Sequence, residues 1–246
     1  MKEIIAMHGW AGDSNQWSNW EQIFKCYEWE WRNSERGYTA ISPHIPKWNH
    51  NSNQVKLKRV AICHSLGSHL IDKQVLYSAT HVVLINSFSR FIPSGKENRP
   101  IKLALNRMMD AINTPNEASM LRKFHVKAYK PNHIDADSIE SNLINISDLG
   151  RVKLKKDLKL LIDSDSLPIG LNTLANVLIV NSEEDNILAN QTKAKLAEDL
   201  RKHLKFLPKI INLQDEGHSI TKIKNIKKIK HWLESVSYTH LTLPTT

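Results

Sequence analysis

Cysteine is scarce in this chain of 246 residues, which contains only Cys26 and Cys63. Two thiols make no disulfide framework, so a reducing compartment is expected, with the cytoplasm as the default. No apolar run approaches the ~18 residues needed to cross a membrane. The opening MKEIIAMHGW lacks the length and cleavage-site pattern of a secretory signal and reads as a strand entering a turn. Metal-ligand spacing is missing, as is a glycine-rich phosphate loop, so neither a metal nor another cofactor is expected. Internal repeats and low-complexity segments are also absent.

What is present suits one α/β domain: 41% hydrophobic and 24% charged residues. A net charge of +9 raises the question of nucleic acid. The lysines, however, are dispersed among leucines and isoleucines. In ITKIKNIKKIKHWL (220–233), Ile220, Ile223, Ile226, Ile229 and Leu233 recur at helical spacing, with lysines on the other face. That is a solvated helix face. The charge favours an acidic partner, with no nucleic acid or membrane expected, and a monomer.

EIIAM (3–7) reads as a buried strand, followed by the loop HGWAGDSNQW and a helix over Trp17–Tyr27 capped by Asp13 or Ser14. A short strand is expected around Thr39–Ser42, ending at Pro43, and another over 58–63 before a helix over 66–77. HVVLIN (His81–Asn86), NVLIVN (Asn176–Asn181) and KIINL (Lys209–Leu213) are further strands. Continuous apolar runs separated by helices indicate a mostly parallel sheet covered on both faces. Residues 90–168 instead show only helical patterns, near 100–113, 116–129, 136–147 and 151–163. The expected organisation is a core of 1–89 and 169–235 with a helical insertion over 90–168. The closing SVSYTHLTLPTT resembles translated adaptor sequence, so 236–246 is expected to be a non-native or disordered tail. Between 90 and 160 there are 14 basic and 8 acidic residues, so most of the net charge lies there.

The stretch VAICHSLGSHL (60–70) places Ser65 between a strand and a helix, in Cys63-His64-Ser65-Leu66-Gly67. A G-x-S-x-G elbow presents a serine hydroxyl above the carboxyl edge of a sheet, with small flanking residues allowing strand and helix to pass closely. Here the second glycine is present and cysteine, a small hydrophobe, replaces the first. Activating the hydroxyl needs a base and an acid that orients it. Asp185 in SEEDNIL follows the NVLIVN strand, with Glu183, Glu184 and Asp215 as rival acids. His218 in QDEGHSI follows KIINL. Serine, acid and histidine thus each follow a strand end, in chain order. The backbone N–H groups of Leu66 and Trp10 are the candidate oxyanion donors. His8 and His64 flank the site and are read as structural, as are the other tryptophans; Cys63 is not read as a nucleophile, because the elbow points residue 65, not 63, into the cleft.

IIAMHGWAGDSNQW, AICHSLGSHL, LIVNSEEDNIL and EGHSI together resemble the α/β-hydrolase superfamily. Within it, HGW, HSLG and a four-helix lid resemble the pimeloyl-[acyl-carrier protein] methyl ester esterases of biotin biosynthesis. The resemblance implies an α/β-hydrolase fold and a serine carboxylesterase with Ser65, Asp185 and His218 as catalytic residues. It further implies Trp10 and Leu66 at the oxyanion and acyl group, Phe124 on the acyl chain, and Arg122 toward an acidic carrier protein. Two departures stand out. One is Cys63; the other is the lack of a strand pair before HGW, which leaves a sheet of about six strands. A general small-ester or carbon–carbon bond hydrolase, and a non-catalytic binding protein of this fold, remain as alternatives.

Overall fold

A computed structural model describes residues 2–49, 57–95, 98–133 and 146–236. Six strands form one sheet: β1 (Lys2–Met7), β2 (Trp29–Ser34), β3 (Lys58–His64), β4 (His81–Ile85), β5 (Asn176–Ser182) and β6 (Lys209–Leu213). Their order is β2-β1-β3-β4-β5-β6, and every pairing is parallel. Alternate residues of the continuous apolar runs serve two cores. Ile5, Ala61, Leu84 and Ile179 pack on one face with α3 (Lys73–Tyr77) and α7 (Asn190–His203). Ile4, Ile62, Val83 and Leu178 pack on the other with α1 (Ser18–Lys25) and α8 (Ile223–Ser235). A strand buried on both faces has no polar side to alternate with, which is why these runs are unbroken.

The second strand departs from expectation. It lies at Trp29–Ser34, whereas 39–41 is a bend and Ser42 is irregular. β2 is an edge strand and alternates: Trp29 and Trp31 are buried beside Phe24, and Glu30 is exposed. A search for continuous apolar runs passes over such a strand. The helix expected at 66–77 is two short pieces, α2 (Gly67–Leu70) and α3. Ile71 and Asp72 are extended between them, and the Asp72 carboxylate accepts from Gln74 N at 2.7 Å, capping α3. Asp13 is the residue that caps the turn before α1, accepting from Asn15 N. Ile223 is half exposed, so the apolar stripe of α8 begins at Ile226.

Between β4 and β5 stand α4 (Asn98–Ala111), α5 (Glu117–Tyr129) and α6 (Asp148–Asp163). The helix expected at 136–147 falls largely outside the described residues, as does the tail beyond 236. These helices cover a third core containing Trp10, Leu66, Phe88, Leu121, Leu154 and Leu158. Helix α6 is tied down by a buried fork: Arg36 Nε and Nη2 each lie 2.7 Å from the Asp157 carboxylate, and Tyr38 Oη donates to it at 2.7 Å. Among the described residues no helix is long and apolar enough to cross a membrane.

The strand register decides where chemistry can gather. Met7 pairs with Cys63, His64 with Ile85, Ile85 with Val180 and Ser182 with Leu213. The loops that follow five strands therefore meet along one carboxyl edge, where open α/β sheets bind their ligands.

Candidate active site

Ser65 sits directly after β3 with φ of +54°, a left-handed conformation that serine adopts only under constraint. Two bonds impose it. Ser65 N donates to Ile85 O at 2.9 Å, and Ser65 O accepts from Ser87 Oγ at 2.9 Å. Gly67 is required on steric grounds, because a Cβ there would lie 2.5 Å from Met7 O and 2.6 Å from His8 O. Cys63 needs no such allowance: it is still in the strand and fully buried in the core, where burial pushes its thiol pKa up.

Asp185 and His218 are in contact. His218 Nδ1 donates to Asp185 Oδ2 at 2.9 Å, and both side chains are buried. The other carboxylate oxygen accepts from Ile187 N at 2.7 Å and Leu188 N at 3.1 Å. Burial alone would raise the Asp185 pKa. The His218 charge and hydrogen bond, with the two amides, outweigh it and hold the carboxyl below its ordinary value. The rival acids stand apart: Glu183 and Glu184 are exposed, and exposed Asp215 faces Lys224 at 3.8 Å.

His64 joins the serine turn to this pair. Its Nε2 donates to His218 O at 2.8 Å, and the two rings are 4.9 Å apart. Burial first, and the His218 charge second, push its pKa down to about 3, so it stays neutral. Among the described residues the Ser65 hydroxyl has no hydrogen-bond partner, His218 Nε2 included.

The backbone N–H groups of Trp10 and Leu66 likewise have no acceptor among the described residues. Gly9 packs against the serine, since a Cβ on it would lie 3.0 Å from Ser65 Cβ. The Trp10 ring is fixed by Nε1 donating to Leu154 O at 3.0 Å and by edge-on contact with Phe124 at 4.9 Å. Ser65, Trp10 and Phe124 open onto a cavity of about 650 Å³, walled by α4, α5 and α6 with Leu105, Met108 and Leu158. Its size is that of a small-molecule site. The Leu66 side chain is fully buried away from the cavity. Arg122 is exposed on α5 and does not line it; Arg107, Lys123 and Lys127 do.

Three residues escape a reading along the chain. Asn86, fully buried after β4, donates from Nδ2 to His218 O at 2.7 Å and to Ser182 Oγ at 2.9 Å. Its Oδ1 accepts from Ser182 N at 2.8 Å. The one available signal was an amide closing an apolar strand. Glu216, also fully buried, anchors the His218 loop through Lys222 N at 2.8 Å and Asn225 Nδ2 at 2.9 Å. Glu35 contacts His8 at 3.2 Å, so His8 and His64 both make the structural bonds expected of them.

No protein-family model and no curated protein sequence matches the chain. Solved structures do. An esterase from Exiguobacterium antarcticum is similar with a TM-score of 0.68 at 12% identity, over 96% of this chain and 92% of that one. A hydrolase from Oleispira antarctica gives 0.65 at 13%, over 96% and 92%. An alpha/beta hydrolase enzyme from a Medee basin deep-sea metagenome library gives 0.63 at 14%, over 98% and 92%. With six parallel strands, helices on both faces and a sharp strand-to-helix turn at Ser65 after β3, this chain has the α/β-hydrolase fold.

Proposed function

We propose that this chain is a serine carboxylesterase that hydrolyses an acyl methyl ester. The observation that carries the reading is the 2.9 Å His218–Asp185 contact, set beside a serine held at φ +54° on an apolar cavity. In this mechanism Ser65 Oγ comes within reach of His218 Nε2 when substrate binds; such bonds are commonly loose in unliganded sites. Ser65 Oγ attacks the ester carbonyl carbon while His218 Nε2 takes its proton. Asp185 keeps the other proton on Nδ1 and stabilises the imidazolium. The Trp10 and Leu66 amides receive the oxyanion. On collapse the carbonyl carbon–methoxy bond breaks, and His218 protonates the departing methanol. A water deprotonated by His218 then attacks the acyl-serine, and Ser65 leaves with that proton.

The finer assignment is pimeloyl-[acyl-carrier protein] methyl ester, giving pimeloyl-[acyl-carrier protein] and methanol in biotin biosynthesis. Two features support it. The cavity is mainly apolar along α4–α6, suiting an alkyl chain, and Arg107, Lys123 and Lys127 on it suit an acidic carrier at the far end. In this reading α4–α6 act as a lid, Phe124 packs on the chain and Arg122 faces the carrier. The scarcity of cysteine suits a cytoplasmic setting.

The test is hydrolysis of p-nitrophenyl butyrate by wild type and Ser65→Ala, followed by methanol release from methyl pimeloyl-carrier protein and from free dimethyl pimelate. Ser65→Ala is expected to lose about 10⁶ in kcat, and the carrier-linked ester to be favoured in kcat/KM. Retained turnover in Ser65→Ala overturns the esterase reading. Equal kcat/KM for both esters overturns the carrier assignment alone.

A further inference from the structure

We infer that His8, braced by Glu35, is a positioning residue that orients the Gly9–Trp10 peptide so that the Trp10 N–H faces the oxyanion; the inference rests on the serine esterase reading. His8 is fully buried after β1, and its Nδ1 lies 2.9 Å from Gly9 O. A carbonyl oxygen only accepts, so Nδ1 carries a proton. Gly12 N donates to the same oxygen at 3.3 Å. The Gly9–Trp10 bond is trans, the one cis bond among the described residues being Lys130–Pro131. In a trans peptide N–H and C=O point in opposite directions. Two donors on Gly9 O therefore turn the Trp10 N–H the other way, and that N–H has no acceptor among the described residues. The same peptide lies against the nucleophile, as the 3.0 Å approach of Gly9 to Ser65 records. Inverted, it would present a carbonyl oxygen to the developing negative charge.

The far side of the ring is held as firmly. Arg36 N donates toward His8 Nε2 at 3.1 Å, and Glu35 Oε1 lies 3.2 Å from it. Glu35 is itself fixed by Ser14 N at 2.8 Å and Gly37 N at 2.7 Å. Neutral, the ring accepts from Arg36; protonated, it donates to Glu35. Nδ1 keeps its proton in both states, so the peptide orientation does not depend on the charge of His8.

Two substitutions separate the sides of the ring. Asn at 8 places an amide N–H near the position of Nδ1 and restores the bond to Gly9 O. Gln at 8 reaches toward Glu35 and Arg36 N and leaves Gly9 O without its side-chain donor. His8→Gln is expected to lower kcat on p-nitrophenyl butyrate by about 100- to 1000-fold with KM little changed, in the range of a lost oxyanion donor. Affinity for a trifluoromethyl ketone, which forms a tetrahedral adduct with Ser65, falls by the same factor, while affinity for butyrate does not. His8→Asn recovers most of the loss. A role confined to stability gives the reverse ranking, since Gln keeps more of the ring's contacts. Wild-type kcat in His8→Gln, or equal loss of ketone and butyrate affinity, overturns the inference and leaves the esterase reading intact. An inert wild type overturns both. Should the variants not fold, ¹⁵N spectra of wild-type histidines decide: a protonated Nδ1 on His8 is expected in the free enzyme and the ketone adduct, and an Nε2–H tautomer overturns the inference.

Discussion

Replacing Asn86 with alanine is expected to weaken the fold and the site together. Asn86 is fully buried, and its side chain makes bonds of 2.7 Å to His218 O, 2.9 Å to Ser182 Oγ and 3.3 Å to Gly217 O while accepting from Ser182 N at 2.8 Å. In Asn86→Ala the Ser182 N–H loses its acceptor inside the protein, which costs about 1–3 kcal/mol. His218 O still receives the His64 bond at 2.8 Å, so its loss is partial. Residue 86 has φ of +43°. Asn tolerates this left-handed region and Ala does not, which adds about 1–2 kcal/mol. The total is about 2–5 kcal/mol, a large share of a domain's net stability of about 5–15 kcal/mol. Urea unfolding followed by fluorescence of the seven tryptophans measures it, with an unchanged m-value as the control. In the proposed mechanism turnover falls as well, because a displacement of about 1 Å at a catalytic group costs on the order of 100-fold. Asn86→Asp sharpens the test. Its carboxylate keeps the Ser182 N–H but turns a lone pair toward His218 O and Gly217 O, so it is expected to be no better than alanine. A loss under about 1 kcal/mol in Asn86→Ala, with full kcat, refutes the reasoning.

Three further outcomes follow from the same geometry. Gly67→Ala drives a methyl group to within 2.5 Å of Met7 O, a backbone atom that cannot turn aside; little soluble protein, or a steep drop in Tm, is expected, and a wild-type Tm contradicts the elbow packing. Arg36→Met alone leaves Asp157 buried with only the Tyr38 hydroxyl, at about 3–5 kcal/mol, whereas Arg36→Met with Asp157→Leu recovers most of that in urea unfolding; additive losses contradict a paired fork. Burial pushes His64 and His81 to about 3 and His125 to about 4. The unfolded chain therefore binds protons from about pH 6.5 downward while the native state does not, and stability falls as pH drops from there toward 4, by at most about 1.4 kcal/mol per pH unit for each histidine; a flat urea midpoint over that range contradicts the assignment.

How far the sequence alone reaches is itself physical. β3, β4 and β5 are buried on both faces, so their apolar runs are unbroken and readable. β2 pairs on one side only and alternates, and its tryptophans read only as packing residues. The elbow, Asp185 and His218 were legible because each follows a strand end in a fixed chain order. Asn86 and Glu35 were not, because each acts on residues distant in the chain: Asn86 reaches His218 across 132 positions and Glu35 reaches His8 across 27. The cations on the cavity had a similar fate. The surplus of basic residues over 90–160 was visible, but only the packing of α4 and α5 selects Arg107, Lys123 and Lys127 from it.

The most direct trial of the account is mass spectrometry of the protein after reaction with a fluorophosphonate. The expected result is one covalent adduct, on Ser65, that forms in wild type and is lost in His218→Ala. An unmodified Ser65, or an adduct that forms as fast without the imidazole, contradicts the claim that these two side chains work as one unit.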